Sequence, residues 1–345
     1  MVPARHVHSI RCEEKIGARE LALVARMLSM LSLSTGMLSL SHEPVRVLHR
    51  AERFCVVSKP PGIMVHRNKF AKKGEPVLLQ MVRDQLGEHI HAVHRLDGGT
   101  SGCLVMAFDS EMTAELQAAM QAPTSRKVYL AHCRGDAAWI QNHHETRPLR
   151  GDDGIERQAS TQMNCLASCE GPERSSLLRC EISTGRWHQI RKHCNGLSHP
   201  VLGDAKHGDS RVNRWWRQER EFLHLGLHCH ELEFVLPSSG ETVHVRAPVR
   251  PDLVSVWREL PWWEQAVGAV PSLAEDARDA DAVLGMVRAR EEHVENPRVV
   301  ASGRGVSVFH RDPRSTGRVL RAGSNDTRER CGMKYFVGYR DARVR

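Results

Sequence analysis

The chain has 345 residues, enough for one large domain with extensions or for two domains, and either could bury a sizeable core. An apolar content of 41% is ordinary for a globular protein, and no stretch reaches 18 apolar residues without a charge or a run of serine, so a membrane span is not expected. The formal net charge of +8 suggests an acidic partner, yet residues 301–345 alone hold eleven Lys/Arg against four Asp/Glu, a net of +7 that leaves about +1 for everything before. Bulk basicity therefore describes a tail, and a case for nucleic acid rests on local patches.

Residues 1–44 form an N-terminal extension with scattered Arg and a Leu/Ser/Met run interrupted by Arg26. That composition suits an organellar transit peptide, whereas Glu13, Glu14 and Glu20 do not, and a poorly ordered start fits equally well. Ten cysteines with no C-x-x-C pair and no convincing secretory signal read as reduced thiols. The default compartment is cytoplasmic; the alternative is a mitochondrion or plastid if the extension is a transit peptide.

A catalytic domain is expected over residues 45–263. Residues 53–58 predict a strand that stops at the rigid turn Lys59-Pro60-Pro61-Gly62. Val77, Leu78, Met81, Val82 and Leu86 recur at helical spacing between Pro76 and Gly87. Strands are predicted at 92–95, 102–108, 127–133 and 177–182, with a helix capped by Asp109 or Ser110 running to about Met120. Strands and helices mixed without a βαβ rhythm predict an α+β domain with a largely antiparallel sheet. Residues 264–345 read as a C-terminal extension: one exposed helix over 273–292, then an Arg-rich end with little apolar content to fold around.

The segment His94-Arg95-Leu96-Asp97-Gly98-Gly99-Thr100-Ser101-Gly102 sets a carboxylate beside a glycine-rich turn at a strand end. Such a turn admits close approach of a substrate and can hold a carboxylate at the mouth of a cleft, although a capped turn with a surface ion pair explains the same residues. Residues 183–220 carry Arg186, Arg191, Lys192, Lys206, Arg211, Arg214, Arg217 and Arg220 against Asp204, Asp209 and Glu219, with Trp187, Trp215 and Trp216 interleaved. Phosphate binding with base stacking uses this mixture; a solvated amphipathic surface produces it too. No metal is expected, because His188, His193 and Cys194, or His224, His228, Cys229 and His230, lack a structural-zinc spacing with two complete ligand pairs.

Four ordered segments then converge. His94–Gly102 resembles the His-Arg-Leu-Asp-x-x-Thr-Ser-Gly signature of the RluA-type pseudouridine synthases. Lys59-Pro60-Pro61-Gly62-Ile63-Met64-Val65-His66, Lys127-Val128-Tyr129-Leu130-Ala131 and Gly185-Arg186-Trp187-His188-Gln189-Ile190-Arg191 are similar to further motifs of that family, in its order. Gly203-Asp204-Ala205-Lys206-His207-Gly208-Asp209 most resembles the subgroup that acts on tRNA at the T-stem uridine of position 65, and Gly98 stands where that subgroup tends to carry Arg.

The resemblance implies a pseudouridine-synthase fold, isomerisation of uridine in structured RNA without any cofactor, and RNA, tRNA first and ribosomal RNA as the alternative, as the partner. No obligate protein partner is implied. A non-catalytic RNA-binding protein of the same fold is the competing class, and the joint presence of three catalytic residues argues against it. In this reading Asp97 is the catalytic carboxylate, as nucleophile on C1′ or as base for the 2′ proton. Arg191 is its opposing charge, suited by a planar guanidinium that can hold a carboxylate bidentately. Tyr129 lies against the uracil and helps remove the C5 proton. Taken by themselves, Arg191 reads as a phosphate contact or helix-surface charge and Tyr129 as a core aromatic. Substrate binding is assigned to Arg95, His94, Arg186, Ile190, Lys206, Arg211 and Arg214, with a hydrogen-bonded structural role favoured for His94.

Overall fold

Ser101–Ala107 is buried at every position, the mark of a strand covered on both faces, and in the computed structural model the rest of the sheet forms around it. The structure describes residues 44–67, 75–151 and 153–295, with the pairs 300–301 and 306–307. Residues 1–43 of the N-terminal extension, read either as a transit peptide or as a poorly ordered start, and most of the Arg-rich end lie outside the described residues.

In chain order the elements are β1 (Val47–Arg50), β2 (Phe54–Lys59), α1 (Leu78–Leu86), β3 (His91–Ala92), β4 (Ser101–Ala107), α2 (Ser110–Gln121), β5 (Arg126–Arg134), β6 (His143–Glu145), β7 (Leu149–Arg150), β8 (Glu156–Arg157), β9 (Thr161–Cys169) and β10 (Ser175–Ile182). Then follow α3 (Gln189–Gly196), α4 (Ser210–Arg220), β11 (Leu227–Val235), β12 (Thr242–Arg246), α5 (Pro251–Trp257), α6 (Trp263–Ala269) and α7 (Ser272–Glu295). Ten strands make one sheet in the order β1-β2-β4-β11-β5-β10-β9-β6, with β12 beside β11 and β3 beside β4. This is the mixed, largely antiparallel α+β fold that the sequence predicts. The local signals hold as well: Asp109 accepts the Met112 amide at the start of α2, and Gly87, at φ 71°, closes α1.

β11 and β4 pair in parallel, at His228 with Ser101 and Cys229 with Gly102, and that junction depends on a glycine. Gly102 sits at φ 107°, and a Cβ there would strike the Cys229 carbonyl. The expected strand over 92–95 is only His91–Ala92, because the chain then turns inward and His94 Nε2 accepts the Val105 amide at 3.0 Å.

β5 shows how the sheet divides the apolar residues. Tyr129, Ala131 and Cys133 join a cluster with Leu178, Cys180, Ile190, Cys194 and Leu225, whereas Leu130 joins Trp216, Trp257, Trp262 and Leu253 in a second one. In the middle of that second group lies His132, fully buried, with Trp216, Phe222, Trp262 and Trp257 packed edge-on at ring-centroid distances of 5.1, 5.3, 5.4 and 6.0 Å. Its Nδ1 accepts from Trp257 Nε1 at 3.1 Å, so the ring is a neutral hydrogen-bond acceptor inside an aromatic cage.

The boundary expected at residue 263 is not where packing stops. Ala266 on α6 and Leu273 and Ala280 on α7 are buried in the second cluster, and the buried Asp276 accepts from the Val249 amide at 2.9 Å and Arg246 Nη1 at 2.7 Å. A compact unit runs to Glu291, and the first turns of the helix expected to be exposed are part of it. Leu273 and Ala280 are seven positions apart, a helical repeat that puts both on the inward face.

Two buried imidazoles give the fold a predictable response to acid. Burial pushes His132 and His228 each down to about 3, while an unperturbed histidine titrates near 6.5. The unfolded chain therefore takes up both protons first as pH falls. The stability contributed by the neutral rings is complete above roughly pH 6.5 and is lost progressively toward roughly pH 3. Together they should remove about 3 kcal/mol of stability per pH unit between roughly pH 6 and 4. Urea denaturation across that range measures the slope; a free energy that stays flat from pH 7 to 5 would show that these rings are not buried neutral.

Candidate active site

The carboxylate is placed by the turn between β3 and β4. Thr100 N donates to Asp97 O at 3.0 Å and closes the turn, and Gly62 N donates to Gly98 O at 2.8 Å, pinning it to the Pro60-Pro61-Gly62 bend. Beneath it lies Lys59, fully buried at the end of β2, with Nζ donating to the carbonyls of Pro60, Gly98 and Thr100 at 2.9 Å each. Burial pulls this ammonium down to about 7, against the favourable pull of Asp97 and with further help from Arg250. A buried cation thus ties the two loops that frame Asp97.

Arg191 comes from α3. Its Nη1 donates to Asp97 Oδ2 at 3.0 Å, while Nε and Nη2 donate to Asp204 Oδ2 and Oδ1 at 2.7 Å each. The bidentate hold expected for Asp97 therefore belongs to Asp204, and Asp97 receives one bond. The reason is geometric: Asp204 is 1% exposed and faces the guanidinium edge-on, so it takes the paired N–H groups. Asp204 also accepts the backbone amides of Lys206 and His207 at 2.8 and 2.9 Å. Burial alone would raise its pKa, but the Arg191 and amide hydrogen bonds outweigh that and hold it below the usual carboxylate range.

His188 completes the surroundings of Asp97. It precedes α3 in a left-handed conformation, φ 56°, uncommon for a residue with a side chain and costly enough to need support. Its Nε2 stands 3.7 Å from Asp97 Oδ2, and its Nδ1 lies 2.8 Å from His207 Nε2. Burial lowers His188 to about 4 despite the opposing pull of Asp97, so both it and the likewise lowered His207 are neutral near pH 7. Tyr129, on β5, is 7% exposed; burial, then the Cys229 thiol and Asp97, push its phenol well above the ordinary value. It is therefore a phenol, not a phenolate, near neutral pH.

The residues assigned to substrate binding separate into two groups. Arg95, Arg186, Lys206, Arg211 and Arg214 are exposed, and Arg95 makes no hydrogen bond or ion pair among the described residues. Ile190, 4% exposed, belongs to the apolar core, and His94 is the structural fastener described above, so neither presents an open contact. Gln189 and His193 are fasteners too: Gln189 bonds Ser160 O, Thr161, Thr184 and the Arg186 amide, and His193 bonds Thr161 and Arg147 O. Lys59, His188, His207 and Asp204 were not singled out as site residues from the sequence. The Lys-Pro-Pro-Gly and Gly-Asp-Ala-Lys-His motifs contain three of them and the Gly-Arg-x-His-Gln-Ile-Arg block the fourth, but their burial and partners are invisible in one dimension.

With this geometry in view, the class follows from comparison. Residues 53–196 match the RNA pseudouridylate synthase family, and the chain belongs to it: it is an isomerase of uridine in RNA. Among named relatives, tRNA pseudouridine synthase C of Vibrio vulnificus (strain CMCP6) is 33% identical over 236 residues, 63% of this chain and 94% of the relative. The enzyme of the same name from Salmonella typhi is 33% identical over 63% of this chain and 90% of its own length. The solved human RNA Pseudouridylate Synthase Domain Containing 4 shares the fold, with a TM-score of 0.50 and 23% identity over 62% of this chain and 92% of the human one.

Asp204 grips Arg191, which in turn bonds Asp97, so its expected role is to position that pair. Asp204→Asn should leave RNA affinity within about twofold while lowering the single-turnover rate by roughly 10- to 100-fold, the worth of one charge-assisted hydrogen bond. Rates measured at saturating RNA, with circular dichroism as the folding control, decide this. A full wild-type rate would detach Asp204 from the orientation of Asp97.

Proposed function

We propose that the RNA is a tRNA, modified at a T-stem uridine of the position-65 class, with Asp97, Arg191 and Tyr129 as the catalytic residues. The observation that carries the chemistry is the Asp97–Arg191 contact at the mouth of the turn. The ion pair keeps a carboxylate anion where a ribose can reach it, and that anion can attack C1′ or take the 2′ proton, stabilising a cationic sugar in either route. Tyr129 offers a ring face and a hydroxyl to the freed uracil. The tRNA reading is supported by the names of the relatives and by the exposed Arg211, Arg214 and Arg217 of α4, a helix that starts just after the loop carrying Asp204. At Gly98, where the resembling subgroup tends to carry Arg, the backbone is not left-handed and a Cβ meets only Met64 Cγ at 3.8 Å, so the local structure does not require glycine.

Two outcomes test this reading. Asp97→Asn keeps shape and hydrogen bonding but loses the anion, so pseudouridine formation in tRNA transcript should fall more than about a hundredfold, over ~2.7 kcal/mol, with RNA binding retained. Pseudouridine mapping of cellular RNA with and without the gene should lose a T-stem site; loss of a ribosomal site instead would move the substrate to ribosomal RNA. Separately, replacing Arg211, Arg214 and Arg217 together by Ala should weaken binding and flatten its salt dependence by up to about three counterions. An unchanged slope in a filter-binding titration would remove α4 from the interface.

A further inference from the structure

Trp187 occupies the variable position of the Gly-Arg-x-His-Gln-Ile-Arg block, and its surroundings are unlike those of the other tryptophans near the sheet. Trp216, Trp257 and Trp262 fill the second apolar cluster; Trp187, only partly buried, belongs to neither cluster. Its indole stacks on His188, with ring centroids 4.1 Å apart and planes 25° from parallel. Lys206 Nζ stands 4.1 Å and Lys192 Nζ 4.4 Å from the same ring centroid. The two ammonium groups are therefore at most 8.5 Å from each other. Lys206 Nζ makes no hydrogen bond or ion pair among the described residues, and its side chain is exposed.

Lys192 Nζ also donates to Arg150 O at 2.6 Å, which leaves Lys206 as the ammonium that can turn from the ring toward an incoming anion. The ring itself offers a flat face of the kind on which bases stack. Position identifies which nucleotide is involved. His188 contacts both Trp187 and Asp97, its ring stacked on the indole and its Nε2 3.7 Å from the Asp97 carboxylate, so one imidazole links the indole to the group assigned to the target sugar. Lys192 follows Arg191 directly on α3, and the Lys206 amide donates to Asp204, so both lysines are anchored to the Asp97–Arg191–Asp204 chain. We infer that Trp187, Lys192 and Lys206 form a shelf for the nucleotide adjacent to the target uridine. Its phosphate is held by Lys206. Its base stacks on the indole face that Lys206 uncovers when it swings from the ring to the phosphate.

The shelf rests on the reading of the protein as an enzyme acting on RNA, and not on tRNA in particular, so the assay uses whichever RNA the wild-type protein converts. Trp187→Leu keeps bulk but removes the π face; Trp187→Phe restores a ring; Lys206→Ala removes one ammonium. Trp187→Leu should raise the RNA concentration for half-maximal single-turnover rate roughly tenfold, far more than it changes the saturating rate, with partial recovery in Trp187→Phe. Lys206→Ala should lower the salt slope of binding by about one, and Trp187→Leu should leave that slope unchanged.

RNA made abasic at one of the two nucleotides flanking the target should weaken wild-type binding by a similar factor and add nothing to Trp187→Leu, since both remove one stacking contact. Additive losses at both flanking positions would overturn the shelf. So would a Trp187→Leu protein, folded by circular dichroism, that loses saturating rate with unchanged affinity, because Trp187 would then serve only to prop His188. A wild-type protein that converts ribosomal RNA but no tRNA would contradict the substrate proposed above and leave this test intact.

Discussion

One guanidinium shared between two carboxylates is the interaction on which the site depends. Arg191 gives a single bond to the partly exposed Asp97 and two to the buried Asp204. A cation held only by Asp97 would be free to rotate with it. Pinned from behind, Arg191 has one orientation left, and Asp97 inherits it. Removing Arg191 would leave the Asp204 carboxylate without its countercharge at 1% exposure, a state far costlier than the pair is worth when intact.

The remaining architecture supplies the conditions for that contact. Lys59 adds a second buried basic group on the Asp97 side, and its three carbonyl bonds fix the turn that carries the carboxylate. Gln189 and His193 fasten α3 to the start of β9, and His188 accepts a left-handed backbone to bring its ring beside Asp97. The imidazoles and the phenol beside Asp97 carry no charge: His188 and His207 are neutral near pH 7 and Tyr129 stays protonated. Of the two carboxylates on Arg191, only Asp97 is then left partly exposed.

The two sides of the sheet carry different loads. One apolar cluster reaches Tyr129, Ile190 and Leu225 and so forms the floor of the site. The other, built on tryptophans around His132, is stabilised by α5, α6 and α7, which is why the chain beyond residue 263 cannot be set aside as an appendage. Burial of neutral imidazoles in this layer links stability to pH.

Much of this was written in the sequence because it is local. Proline and glycine placed the turns, Asp109 and Gly87 placed helix ends, and four ordered motifs marked Asp97, Tyr129 and Arg191 together with the chemistry of the family. The sequence could not say that Arg191 binds Asp204 more extensively than Asp97, since 13 and 94 residues separate it from those partners and both carboxylates look alike in one dimension. Nor could it separate His94 and Ile190, which are held in structural work, from Arg95 and Lys206, which face outward. Residue type sets what a side chain can do, while burial and the direction of its hydrogen bonds, which only the folded chain creates, decide which of those things it does.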